Sequence, residues 1–153
     1  MQPSRILPDL QCSLICEDVR QENNGNFILI GVLNYIRVAQ VPVTAFRLVF
    51  FNRWTAGHGQ FVESVRLLAP DHTTMLRKSD VKFALPDVSV HTTNVTVFPQ
   101  VEFRVAGVYY VEVLVDEVMK LRYPLALTVV PPQPQQPQQP PGEPKPPAPE
   151  SAS

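Results

Sequence analysis

From Met119 to Val130 apolar and polar positions alternate with a period of two. Met119, Leu121, Tyr123, Leu125, Leu127 and Val129 share one parity, and Lys120, Arg122, Pro124, Ala126, Thr128 and Val130 the other. Successive side chains of a strand point to opposite faces, so this pattern predicts a long strand with one buried face. Pro124, which has no amide to donate, suggests an edge or a bulge there. Upstream, "VYYVEVLVD" sets Val111, Val113 and Val115 on one face, and Asp116 and Glu117 suffice to close a hairpin between the two runs.

The same alternation recurs toward the N-terminus. "TTNVTVF" and "VEFRV" predict inward sets of Val95 and Val97, then Val101, Phe103 and Val105, interrupted by Pro99 and by Ala106 and Gly107. "FRLVFFNRW" places Phe46, Leu48, Phe50 and Trp54 on one face, opposite Arg47, Val49, Phe51 and Arg53. "FVESVRLL" ends at "APDH", where Pro70 and Asp71 suit a type I turn. "FILIGVL" is apolar at both parities, as expected of a central strand covered on each side, and "NNGN" before it tolerates the positive φ of a tight turn. "PDLQCSLICEDVRQE" fits either an amphipathic helix capped by Asp9 or a strand alternating Leu10, Cys12, Leu14 and Cys16. The strand is preferred, because an asparagine-glycine turn leading into an apolar strand usually closes a hairpin. About eight strands at short, regular spacing predict an all-β fold: an antiparallel two-layer sandwich of immunoglobulin-like type.

Composition divides the chain. Ten of its 17 prolines fall within residues 131–153, whereas residues 1–130 hold seven prolines with 12 Lys and Arg against 12 Asp and Glu. Residues 1–130 therefore read as one sandwich domain, and the Pro/Gln-rich remainder as a disordered tail biased to polyproline II. A neutral body lacks the electrostatic footprint of a general nucleic-acid or membrane-surface binder. The N-terminus carries no apolar run of signal-peptide length, and nowhere is there a run of the ~20 apolar residues a membrane helix needs. A cytoplasmic location with two free thiols is expected.

Candidate chemistry is sparse. Glu17 and Asp18 are adjacent, so a strand sends them to opposite faces, whereas Asp18, Arg20 and Glu22 share a face as a minus-plus-minus row. That row reads first as a salt-bridge ladder and second as a contact for a partner's polar groups. Cys12 and Cys16 lie about 13 Å apart along a strand, too far for a disulfide or a shared zinc ion. His58, between glycines in "TAGHG", is the histidine best placed for a functional role, and Trp54 and Phe51 at the mouth of that loop could form a sugar or peptide platform, although core packing is their simpler role. Arg66, Arg77, Lys78 and Lys82, interspersed with Asp71 and Asp80, read as a solvated loop region. Tyr109 or Tyr110, after Gly107, is placed like the tyrosine corner of immunoglobulin-like sandwiches. No nucleophile elbow, P-loop, zinc-protease or dinucleotide motif occurs, so no catalytic residue, metal ligand or cofactor is assigned.

"CEDVRQE", the polar turn, "FILIGVLNYIRV", Val41 with Pro42, and "GVYYVEVLVD" followed by "YPLALTV" together resemble an uncharacterised family of small bacterial β-sandwich proteins over about residues 10–130. The resemblance implies a bacterial, cytoplasmic, single-domain sandwich and no catalytic residue. The closing hairpin is also similar to that of immunoglobulin-like domains. The leading expectation is a non-enzymatic module that binds a protein through a sheet edge or loops, with the tail as a tether. The alternatives are an enzyme built from loops around His58 and the acidic hairpin, and a carbohydrate-binding sandwich using Trp54.

Overall fold

Nine strands, and among the described residues no helix, make up the computed structural model, which describes residues 5–132. They are β1 (Asp9–Gln21), β2 (Phe27–Val32), β3 (Ile36–Val38), β4 (Val43–Thr55), β5 (Gly59–Leu68), β6 (Met75–Leu85), β7 (Thr92–Phe103), β8 (Gly107–Val115) and β9 (Val118–Val129). The segment open to either helix or strand is strand β1. The proposed tail lies outside the described residues from position 133 onward. No helix is long and apolar enough to cross a membrane among the described residues.

The strands form two sheets, ordered β2-β1-β4-β7 and β3-β9-β8-β5-β6. All pairings are antiparallel but one: β3 runs parallel to β9, Ile36 opposite Leu127 and Val38 opposite Val129. The expectation of purely antiparallel pairing fails at this short additional strand, β3, "IRV", which the alternation did not resolve. After β2 the chain crosses from the first sheet to the second before returning in β4, and the crossing segment pairs with the strand it meets. β3 covers only the last residues of β9, so at Pro124 the strand is paired by β8 alone and its missing amide faces an open side.

Between the sheets, Leu48, Phe50 and Trp54 of β4 meet Phe61, Val65 and Leu67 of β5, with Phe103, Tyr109, Val111, Val113, Leu125 and Leu127 completing the buried core. Four inward sets differ from the simple alternation. Phe46 is 80% exposed, and Val95 and Val97 face solvent while Asn94, Thr96 and Phe98 turn inward. β4 and β7 keep constant register, yet both change face beside Phe46 and Gln100; Gln100 takes a φ of 49°, and the Arg77 guanidinium donates to the carbonyls of Pro99 at 2.9 Å and Gln100 at 2.8 Å. The two strands flip together, so a period-two count carried across Pro99 assigns the wrong parity on one side of it. In β9, Met119 is exposed beyond the point where the β8–β9 ladder shifts register between Val113 and Leu114, and Leu121, which pairs with Val113 just before that shift, is exposed as well. That shift adjoins the two-residue turn, where Asp116 and Glu117 both adopt positive φ. Val105, past the end of β7, is exposed as well.

Tyr109 is buried with its hydroxyl donating to the Val105 carbonyl at 2.6 Å, and burial raises the phenol's pKa above its ordinary value. Four residues separate donor and acceptor, so the bond ties β8 to the loop that precedes it. Tyr109→Phe should cost about 0.5–1.5 kcal/mol in urea denaturation, the net worth of one such hydrogen bond. An unchanged midpoint would mean that the hydroxyl contributes nothing to stability.

Candidate functional site

The first hairpin departs most from flat sandwich geometry. Leu14 of β1 pairs with Phe51 of β4, and Gln21 of β1 pairs with Phe27 of β2. Seven residues of straight strand would separate these two points by about 23 Å. The Phe27 and Phe51 rings nevertheless meet edge to face with centroids 5.6 Å apart. β1 must therefore bend back, carrying β2 over the outer face of the first sheet. The bend lies where β1 passes from β4 to β2: Cys16 pairs with both Val49 and Val32, and opposite Glu17 the ladder is interrupted at Gly31. Gly31 has a φ of 65°, and a Cβ there would lie 2.7 Å from the Glu17 side chain. Only glycine meets both demands without strain.

Phe27 and Leu29 are half-buried, whereas Ile28, Ile30 and Val32 are 42%, 37% and 46% exposed. "FILIGV" was expected in a sheet centre because it is apolar at both parities; instead β2 is an edge strand. One parity covers Phe51 beneath the hairpin, and the other faces solvent. The other edge strands carry protective residues: Arg37 in β3, Arg77, Lys78, Asp80 and Lys82 in β6, and Pro99 and Glu102 in β7. Among the edge strands of the described residues, β2 alone has neither charge nor proline. Its outer main-chain groups and its exposed isoleucines form an unguarded pairing surface.

The acidic row lies alongside. Asp18 accepts from Arg20 at 3.2 Å and from Arg47 of β4 at 2.9 Å; the Arg20 bond, with Arg47 beside it, holds its carboxyl below the ordinary aspartate range. Glu22 lies past the strand end in the turn, where its carbonyl accepts from the Gly25 amide and its own amide donates to Asn26. The structure thus brings Asp18 and Arg20 together and adds Arg47, which the sequence reading did not single out. Cys12 is half-buried, Cys16 is fully buried, and both are free thiols.

Trp54 is sealed inside the sandwich, stacked on Phe83 at 5.5 Å, and can offer no ring face to a sugar. Its indole Nε1 donates to Glu63 Oε2 at 2.5 Å. The same carboxyl accepts from Asn94 Nδ2 at 3.0 Å and, through Oε1, from Asn52 Nδ2 at 3.1 Å. Glu63 itself is wholly buried, and desolvation raises its pKa despite the three donors. The cluster joins β4 and β7 of one sheet to β5 of the other, and no substrate can reach it. Sequence reasoning overlooked it, although in "FVESVRLL" the parity of Phe61, Val65 and Leu67 already places Glu63 inside.

His58 is held rather than presented. Its amide and carbonyl bond Ile6 at 2.9 Å each, and its Nδ1 is buried without a partner. The structure does not bring it to the acidic hairpin or to an accessible Trp54 face. Among the described residues no group of three or more His, Cys, Asp or Glu side chains could hold a metal ion.

No curated protein matches the chain. A family model does match, across residues 11–128, from the body of β1 to the end of β9. The chain accordingly belongs to a family of unknown function, DUF6941.

Proposed function

We propose that this domain is a non-enzymatic protein-binding module that receives an extended segment of a partner protein along the open edge of β2. The supporting observation is the character of that edge: three exposed aliphatic side chains on a strand free of charge and proline, in a sheet whose opposite edge is guarded. Strand addition draws affinity from main-chain hydrogen bonds and selectivity from alternate side chains. Here Ile28, Ile30 and Val32 would select an apolar partner strand, and the Asp18–Arg20–Arg47 cluster would engage its polar groups. The sandwich would be of immunoglobulin-like type: the strand order β1-β4-β7 facing β9-β8-β5-β6 is consistent with an A-B-E sheet over a G-F-C-C′ sheet, and the Tyr109 bond to Val105 supports a tyrosine corner. Residues 131–153 would act as a tether beyond this domain, and the two free thiols support a cytoplasmic setting.

Ile30→Lys tests the reading, because a lysine on an exposed edge blocks strand addition at little cost in stability. Proteins recovered from the native host by the wild-type domain should be lost with Ile30→Lys, while the melting temperature is kept. Recovery of the same proteins by the variant would refute the reading. A dimer that dissociates on Ile30→Lys would instead assign the edge to a second copy of the chain.

A further inference from the structure

Beneath the hairpin lies a groove of about 580 Å³, within the roughly 300–1,000 Å³ typical of small-molecule sites. Its apolar walls are Leu14 and Phe51 on the sheet side and Phe27 and Leu29 on the hairpin side. At one end Arg53 stands between Cys12 and Thr93, its neighbours across the β1–β4 and β4–β7 ladders, with His91 at the rim. No aspartate or glutamate lines the groove. Arg53 is half-buried, forms no ion pair with any described residue, and has a buried Nε without a hydrogen-bond partner. A guanidinium donor removed from water without an acceptor is a standing cost that a bound anion would relieve.

We infer that this groove is a binding site for a small amphipathic carboxylate, its apolar chain lodged between hairpin and sheet and its carboxylate on Arg53. Charge complementarity sets the head group: one unpaired guanidinium at the end of an apolar wall, in a groove that also carries Asn26 and Thr93, matches a single planar carboxylate, which it can grip through two parallel hydrogen bonds. The inference rests on the groove and not on the β2 edge, so it stands or falls independently of strand addition.

Calorimetry of the full chain with sodium octanoate tests it, with octan-1-ol, octylamine and octyl phosphate as comparison ligands. Octanoate should bind most tightly of the four, and Arg53→Gln should weaken it by ~10-fold or more while leaving octan-1-ol unchanged. Saturating octanoate should also slow alkylation of wild-type Cys12 by N-ethylmaleimide several-fold, a readout independent of the variant's folding, with buried Cys16 as the internal reference. Absent binding, equal affinity for octylamine, tighter binding of octyl phosphate, unchanged affinity in a folded Arg53→Gln, or an unprotected Cys12 would each overturn the assignment.

Discussion

Replacing Glu63 by alanine should destabilise the sandwich by about 3–5 kcal/mol in denaturant melts, because three buried N–H donors lose their acceptor together. Trp54 Nε1, Asn52 Nδ2 and Asn94 Nδ2 all point at this carboxyl from the facing sheet, and all three residues are buried. Glu63→Gln should cost less than ~1.5 kcal/mol. The glutamine carbonyl can replace Oε2 for Trp54 and Asn94, and its amide can donate to Asn52 Oδ1, which lacks a partner in the present arrangement, once the Asn52 amide turns over. The two variants separate the hydrogen-bonding role from the charge. Equal, small losses for both would mean that the cluster is incidental to stability.

The pH dependence follows from the same burial. The native pKa of Glu63 is raised, so between the ordinary value of 4.5 and the native value the folded protein binds more protons than the unfolded chain. The stabilising contribution is therefore complete below pH 4.5 and is lost as pH rises through the native value. Measured against Glu63→Gln, the wild type should lose stability across that interval as pH increases. A difference that grows in favour of the wild type with rising pH would show that the three donors outweigh desolvation.

The second large effect lies in β9. Leu125→Ala and Leu127→Ala should each cost ~2–5 kcal/mol, since both side chains are 2% exposed in the core and truncation leaves a cavity. Leu121→Ala should cost less than ~1 kcal/mol, because Leu121, near the turn end of the strand, is 37% exposed. The strict alternation treats all three leucines alike, so comparative urea melts of the three variants read out the loss of burial toward the turn directly. Equal losses would place Leu121 in the core.

Much of the architecture follows from local pattern. The β8–β9 hairpin, the two-residue turn at Asp116 and Glu117, and the inward Phe50 and Phe103 need only period two and turn chemistry. What escapes such reading depends on geometry across strands. The paired flip of β4 and β7 beside Pro99 preserves register, so neither strand alone signals it. The bend in β1 turns on Gly31, and a lone glycine inside an apolar strand is a bulge signal; what it cannot indicate is that Phe27 would reach Phe51. That return explains why "FILIGV" has the composition of a central strand while lying at an edge: one face is covered by the hairpin's own sheet, the other is left open. Asp18 and Arg20 were legible as a row, but Arg47 enters through β4, and Arg53 joins Cys12 only through the β1–β4 ladder.

The measurement closest to the central claim is amide hydrogen exchange across β2, in the free domain and in complex with a protein recovered through it. In the free domain the β2 amides that do not bond β1 should exchange quickly, and in the complex those of Phe27–Val32 should become protected while β6 and β7 stay unchanged. Protection confined to another surface, with β2 exchanging as fast in the complex as in the free domain, would contradict strand addition at this edge.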